Sequence, residues 1–536
     1  MLDTLTGATD EALRAIEEEK KVRKTREVFL LFAMGSQFDH LIKQQIERLG
    51  VYCLVADPAR VTAEDVRKIR PIGIVLSGGP ASVDTEPPPF DATIFDLGIP
   101  VLGICLGFQM WAQHIGLRVE PADRREFGVH EAHLLRVSKL FDGCPERMAV
   151  LESHGDAVMA DDAYHDFFAT MATANAPVAA GEYKNLCGVQ FHPEVTETEY
   201  GATMFENFCL TICGAKDRFP ASQIAERKIA ELRERIGDTK VLLALSGGSD
   251  SSTVAYLLKE AVGSRPGQIR GVYIKGVDRP DDEAYVKEYF GGTEWLSLAI
   301  VDETDAFLGA VHDKLSFRDK RIAMKDVYRS VLEREAKNFG ATFIAQGTLY
   351  TDISESGGGY DTGARKATIK IHHNVNLGWE CEELTPLADC VKDGGRNIGR
   401  AIGVPEELLV QHPFPGPGLL VRIEGEITRE KLAMARALDG IYIEELRRWN
   451  LYETVWQAGA DITSSVHTYT KGDDVGSGPV VMLWDVWSVN SFTARAAELP
   501  YDFLHHVTRR IGNEVRDVGA VTYRVSGKPF STIEMG

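Results

Sequence analysis

Short apolar runs recur along the chain, separated by longer segments whose apolar residues return every three or four positions. VFLLFA (28–33), VYCLV (51–55), IGIVLS (72–77) and PVLGICL (100–106) are four such runs, and HLIKQQIERLG (40–50) is a helix-patterned segment between the first two. Their alternation with helix-patterned segments predicts βαβ units and a parallel sheet. A second series begins at VLLALSGG (241–248) and continues through GVYIKGV (271–277) and ATFIAQGT (341–348). After HPFPGPGLL (412–420) the pattern changes. A helical stretch, EITREKLAMARALDGIYIEELRRW, is followed by strand-like GPVVMLWDVWS and VGAVTYRV, which predicts a smaller α+β unit. The expected fold is therefore α/β: two doubly wound parallel-sheet domains and a small α+β C-terminal domain. The expected boundaries are a charged helical extension over 1–26, a first domain over 27–212, a polar linker over 213–239, a second domain over 240–411 and the last over 412–536.

Length agrees with three domains, since 536 residues exceed what one hydrophobic core holds. The 44% hydrophobic content is ordinary for a globular chain and excludes disorder or a collagen-like repeat as the main state. No run of about 18 apolar residues occurs. The first 26 residues lack the apolar centre of a secretion signal, so a cytoplasmic location and no membrane partner are expected. The net charge of −20 argues against nucleic acid as the main partner, because such domains present a basic face. Eight cysteines without a CxxC pair predict reduced, buried thiols. Cys105 is the exception.

Gly103-Ile104-Cys105-Leu106-Gly107 has the Gly-x-nucleophile-x-Gly spacing of a strand-to-helix nucleophile elbow. A thiol on such a turn sits at a helix N-terminus, where the dipole favours thiolate, and the N–H of Leu106 is free to hold an oxyanion. Alone, the pattern also fits a buried cysteine in a glycine-rich turn. Phe191-His192-Pro193-Glu194 supplies an imidazole and, two residues on, a carboxylate to orient it, completing a Cys-His-Glu arrangement. Ser77-Gly78-Gly79-Pro80 follows a strand and offers, at Gly79, a second backbone donor for the oxyanion; it also reads as a simple tight turn.

Ser246-Gly247-Gly248-Ser249-Asp250-Ser251-Ser252 lies between a strand and a helix. Glycines, hydroxyls and a helix N-terminus make a nest for phosphate oxygens, and Asp250 is the candidate to hold Mg²⁺ on a triphosphate. The chain contains no Gly-x-x-x-x-Gly-Lys-Ser/Thr, so this is not a Walker loop. Gly357-Gly358-Gly359 reads as a loop or lid.

GSQ (35–37), SGGP, GICLGFQ, REFG (125–128), SHGD (153–156) and FHPE, in that order, resemble a class I (triad) glutamine amidotransferase domain. The resemblance implies that Cys105 attacks the glutamine side-chain amide, His192 acts as general base and acid, and Glu194 orients it. Gln109, Ser153, His154 and Asp156 match positions lining the glutamine pocket. Leu106 stands where this branch commonly has Tyr. The Ser-Gly-Gly-Ser-Asp-Ser loop resembles that of the N-type ATP pyrophosphatases, which adenylate a carbonyl oxygen and release pyrophosphate. That likeness implies ATP with Mg²⁺, and an ATP site of Ser246, Gly247, Gly248, Ser249, Asp250 and Ser251, joined by Gln346 and Gly347 of QGTLY (346–350).

Together with a third domain, the two are similar to the glutamine-hydrolysing GMP synthetase family, supported by IKIHHNV (369–375), HPFPGPG (412–418), LPYDFL (499–504) and KPFSTIE (528–534). The family implies a homodimer that adenylates the C2 oxygen of XMP and replaces it with ammonia, with the C-terminal tail closing the nucleotide site. Candidate acceptor residues are then His412, Pro415, Gly416, Lys528, Ile533 and Glu534. The departures from the family cluster on this acceptor side. An Asp-Asn-Gly is replaced within Tyr273-Ile274-Lys275-Gly276, and a lid motif becomes Lys320–Asp326. Gly-Gly-Leu-Pro becomes Asn376-Leu377-Gly378-Trp379, and the ending is Ile533-Glu534-Met535-Gly536. Arginines of the family fall on Trp484 and Ala520, and an aspartate on Arg524. A guanidinium clamps phosphate in a way Trp or Ala cannot. The same chemistry on another purine-like carbonyl is therefore the alternative expectation.

Overall fold

The computed structural model describes residues 4–36, 38–85, 87–159, 167–195, 197–219, 221–263, 265–349, 352, 381–390, 392–471, 474–488, 494–528 and 531–535. The segments IKIHHNV, Gly357–Gly359 and Asn376–Trp379, and residues Gln37, Tyr350, Pro529, Phe530 and Gly536, lie outside the described residues. The described residues fall into two compact units, one up to Gln223 and one from Ile224.

The first unit holds a nine-stranded sheet: β1 (Phe29–Phe32), β2 (Cys53–Ala56), β3 (Gly73–Leu76), β4 (Val101–Ile104), β5 (Val119–Leu134), β6 (Arg147–Val158), β7 (Phe167–Ala172), β8 (Ala180–Tyr183) and β9 (Leu186–Val189), in the order β2-β1-β3-β4-β9-β8-β7-β5-β6. The block β2-β1-β3-β4-β9 is parallel, and every residue in it is buried. Burial on both faces is why these strands read as unbroken apolar runs. The other four strands are antiparallel, so the sheet is mixed rather than wholly parallel. Its long β5–β6 pair was hidden because stretches such as ADRREFG are polar and face solvent on one side.

The 1–26 segment contains a helix, Asp10–Val22, started by the Thr9 hydroxyl accepting from the Ala12 N–H. Ahead of it, buried Leu5 bridges to Ala56 at the edge of the sheet. Within 213–239, the Lys216 and Asp217 N–H groups donate to the Glu27 carboxylate, and Phe219 N–H donates to Gly50 C=O. Further on, the helix Ala221–Ile236 places Ala225, Leu232 and Ile236 in the core of the second unit.

In the second unit a five-stranded, all-parallel sheet is made by β10 (Val241–Ala244), β11 (Ile269–Lys275), β12 (Leu296–Asp302), β13 (Phe343–Ala345) and β14 (Glu382–Leu384), in the order β12-β11-β10-β13-β14. A four-stranded sheet follows: β15 (Gln457–Lys471), β16 (Asp474–Trp487), β17 (Arg495–Ala496) and β18 (Ala520–Tyr523). The helices Arg429–Arg448 and Tyr501–Glu514 cover it, burying Leu438, Tyr442, Phe503 and Ile511 with Ala460, Val481 and Leu483. Residues Lys320–Asp326 lie near the start of the helix Phe317–Phe339. Lys320 Nζ donates to the carbonyls of Ile423 and Gly425 at 2.9 and 2.6 Å, fastening that end to the core. Among the described residues no helix is long and apolar enough to cross a membrane.

Candidate active sites

The turn after β4 puts Cys105 at φ 51°, ψ −105°, at the start of the helix Leu106–His114. This strained conformation belongs to the cysteine, not to its glycines. The glycines are required by close approach. A Cβ on Gly103 would lie 2.6 Å from the Gly107 backbone, and one on Gly107 would lie 2.6 Å from the Leu76 carbonyl oxygen. Strand, turn and helix can therefore nest only with glycine at both places.

His192 follows β9, and its Nδ1 lies 2.8 Å from Glu194 Oε1. Thr198 Oγ1 donates to the His192 carbonyl, and the Phe38 ring stands edge-on to the imidazole at 5.4 Å. Burial opposes a charge on this imidazole, but the Glu194 carboxylate and the Cys105 thiol outweigh it and hold its pKa well above the usual histidine value. Cys105 is buried, and Gln190 Nε2 donates toward its sulfur at 3.7 Å. Gly78 borders both the Cys105 and His192 side chains. A Cβ there would sit 3.0 Å from the His192 ring and 3.5 Å from Cys105 Cβ. One on Gly79 would lie 2.9 Å from Leu106 Cδ2, so the two expected oxyanion donors are neighbours.

Of the glutamine-pocket candidates, Gln109 and Asp156 come together. Gln109 Nε2 donates to the Asp156 carbonyl and to Gln190 Oε1, and Ser82 Oγ donates to Asp156 Oδ2 at 3.1 Å. His154 is buried, its Nδ1 3.0 Å from the Asp156 carbonyl and its Nε2 between the carboxylates of Glu126 and Glu152. Burial resists its charge, and the two glutamates raise its pKa nonetheless. Ser153 is exposed, on the opposite face of β6 from its two buried neighbours Glu152 and His154.

The second site lies at the end of β10. Gly247 takes φ +80°, Ser246 Oγ and Ser251 Oγ are 3.1 Å apart, and the helix Ser249–Val262 starts within the loop. Gly347 packs against it so closely that a Cβ would lie 2.8 Å from Ser251 N. Gln346 Nε2 donates to Glu383 Oε1 at 2.6 Å. Asp250 accepts from Ser249 Oγ and, at 2.6 Å, from Lys392 Nζ. Lys392, a residue sequence reasoning missed, lies 142 positions away and carries no motif of its own.

The loop opens on a cavity of about 360 Å³ whose lining includes Asp250, Gln346, Lys392, Arg279, Asp282 and Arg321. Burial lifts the Asp282 carboxyl to about 6, against the pull of Arg279. His412, Pro415, Gly416, Lys528, Ile533 and Glu534 line the same cavity. His412 stacks on Tyr452, its Nε2 is 2.7 Å from the Tyr452 carbonyl, and burial lowers its pKa to about 3. Gly416 C=O accepts from Tyr328, and Pro415 C=O from Gly418 N–H. Glu534 is held by the Arg422 guanidinium and by Gln457 Nε2.

The family models agree with this layout. Residues 30–212 match glutamine amidotransferase class-I, 223–331 match NAD synthase, and 444–535 match GMP synthase C terminal domain. A relative named GMP synthase [glutamine-hydrolyzing] from Lactococcus lactis subsp. cremoris is 39% identical over 95% of this chain and 99% of its own length. The chain belongs to the glutamine-hydrolysing GMP synthases. A second such relative, from Streptococcus pyogenes, is 39% identical over 93% of this chain and 96% of its own length. Among solved structures, a putative GMP synthase subunit from Thermoplasma acidophilum is 28% identical, with a TM-score of 0.31, covering 35% of this chain and 94% of that one.

Within this family, Trp484 is buried, and its indole faces two guanidiniums, those of Arg422 at 5.2 Å and Arg524 at 4.9 Å. Arg524 donates to the Ile533 carbonyl at 2.6 Å, so it fastens the tail.

Proposed function

We propose that the chain makes GMP from XMP with ATP and glutamine. The observation that carries the reading is the strained Cys105 turn beside the buried His192–Glu194 pair, together with a serine-glycine phosphate loop in the second unit. Cys105 attacks the glutamine amide carbon, and the N–H groups of Gly79 and Leu106 receive the oxyanion. His192 gives its proton to the leaving nitrogen, which departs as ammonia, and Glu194 keeps the ring oriented. His192 then takes a proton from water, which splits the thioester to glutamate. Gln109 and Asp156 form the wall of the glutamine pocket.

At the second site the N–H and hydroxyl groups of Ser246–Ser251 hold the ATP phosphates, with Gln346 and Gly347 at the edge. One carboxylate at a phosphate nest fits Mg²⁺, which takes one or two carboxylates plus phosphate oxygens, and Asp250 would hold it. Mg²⁺ there would neutralise phosphate charge. The XMP C2 oxygen attacks the α-phosphorus, pyrophosphate leaves, and ammonia displaces AMP. His412, Pro415, Gly416, Lys528, Ile533 and Glu534 enclose the acceptor. The active form is a homodimer.

Trp484 and Arg524 favour one other reading: the same chemistry on a different purine-like carbonyl. The test is to incubate the full chain with ATP, Mg²⁺, glutamine and XMP and to follow AMP, pyrophosphate and glutamate. XMP-dependent AMP at one equivalent per glutamate is the expected result. Glutamate release without XMP-dependent AMP sinks the first reading and leaves the second.

A further inference from the structure

Glu126 on β5 and His154 on β6 are cross-strand partners, and the bulge between the two strands ends at this pair. Glu152 lies two residues before His154, on the same face of β6. All three point into the interior: Glu126 and Glu152 are fully buried and His154 is 4% exposed. The His154 Nε2 is 3.2 Å from Glu152 Oε2 and 3.4 Å from Glu126 Oε2, yet neither approach has hydrogen-bond geometry at that nitrogen. Both Glu152 oxygens are buried without a hydrogen-bond donor among the described residues.

These spacings have a simple interpretation. Zinc with ligands about 2.0–2.1 Å away at tetrahedral angles places its ligand atoms about 3.3 Å apart. The two measured separations are edges of that size, and the three ligand atoms lie within 4.8 Å of one another. The surroundings match as well. His154 Nδ1 donates to the Asp156 carbonyl at 3.0 Å, so Nε2, which faces the two carboxylates, is the nitrogen that offers a lone pair once its proton is displaced by a cation. Glu126 is held by the Thr173 hydroxyl at 2.7 Å and the Asn175 side-chain amide at 3.1 Å. Two carboxylates and a neutral imidazole carry two negative charges, which a dication cancels. Without one, two carboxylates are buried against a single imidazolium and the half-exposed His130, whose Nδ1 is 3.6 Å from Glu126.

We propose that Glu126, Glu152 and His154 bind a divalent transition-metal cation, with zinc the best fit to the two oxygens and one nitrogen. The ion ties β5 to β6 next to the Asp156 carbonyl, on which Gln109 also rests. A water takes the fourth position.

The experiment uses the full chain. Elemental analysis of the purified protein, equilibrated with zinc and freed of excess, is expected to give about one zinc per chain. Glu152→Gln is expected to lower this at least about tenfold, and Cys105→Ala to leave it unchanged. Chelator-stripped protein should unfold several degrees lower and recover with zinc. Stripped wild type titrated with Co²⁺ should show the visible bands of a four-coordinate ion without thiolate charge transfer, a readout that holds even where Glu152→Gln fails to fold. Absence of stoichiometric zinc and of saturable Co²⁺ bands overturns the proposal and leaves an ion-free imidazolium between carboxylates. Zinc kept by Glu152→Gln, zinc lost with Cys105, or a thiolate band overturns it in favour of cysteine ligation. Glutamine hydrolysis and XMP amination do not enter these readouts, so the site stands or falls apart from the proposed function.

Discussion

Arg422 Nε and Nη2 each donate to the Glu534 carboxylate at 3.1 Å, joining two buried groups 112 residues apart and docking the C-terminal tail. Asp439 shares the same guanidinium. Removing one partner of a buried charged pair leaves the other unsatisfied, which costs more than the pair gains by existing. Glu534→Ala should therefore lower stability by roughly 1.5–3 kcal/mol in denaturant unfolding. It should also raise the acceptor KM more than the glutamine KM, because Glu534 lines the cavity proposed to enclose the acceptor. Equal changes in both would separate the tail from acceptor binding.

Cys105→Ala should end glutamine-dependent AMP formation, with a loss of about three orders of magnitude or more. Ammonium salts should restore it, because the phosphate loop is in the other unit. Glutamate and AMP measured together check this. Unchanged glutaminase activity would remove Cys105 from its assigned role.

Gly347→Ala tests the phosphate loop through packing alone. Its new methyl would meet backbone atoms of Ser251 and Asp250 at 2.8–2.9 Å, which no rotamer relieves. The loop must shift, and a shift of a few tenths of an ångström should raise the ATP KM about tenfold. Initial rates at varied ATP report it; a KM within twofold of wild type would show that the contact is tolerated.

Asp461 gives a pH prediction. Burial, then Glu534, hold its carboxyl up to about 7, above the usual carboxylate value of 3.8. Between those limits the folded state keeps a proton that the unfolded chain gives up. Its contribution to stability is therefore complete at low pH and is lost as pH rises toward 7. Asp461→Asn should flatten the fall in Tm between about pH 4 and 7, and at pH 8 should be no less stable than wild type. A Tm profile parallel to that of wild type would place the titration elsewhere.

Much of this was legible along the chain. The parallel strands announced themselves because burial on both faces leaves only apolar residues. The Cys105 elbow, the His192–Glu194 pair and the Ser246–Ser252 loop were legible because each carries its residues in a short local motif. The antiparallel β5–β6 pair was not, since its strands are polar on one face and interrupted by a bulge. Neither was the lysine paired with Asp250, nor the burial of Glu152 against Glu126 and His154.

The sequence by itself determined the βα punctuation and the motifs that mark the family. Tertiary structure decided which distant side chains meet: Lys392 on Asp250, Arg422 on Glu534, Trp484 between two guanidiniums, and a histidine between two buried glutamates. Such pairs have no spacing rule. They exist because burying a charge is costly until packing brings it a partner, and packing is a property of the folded chain.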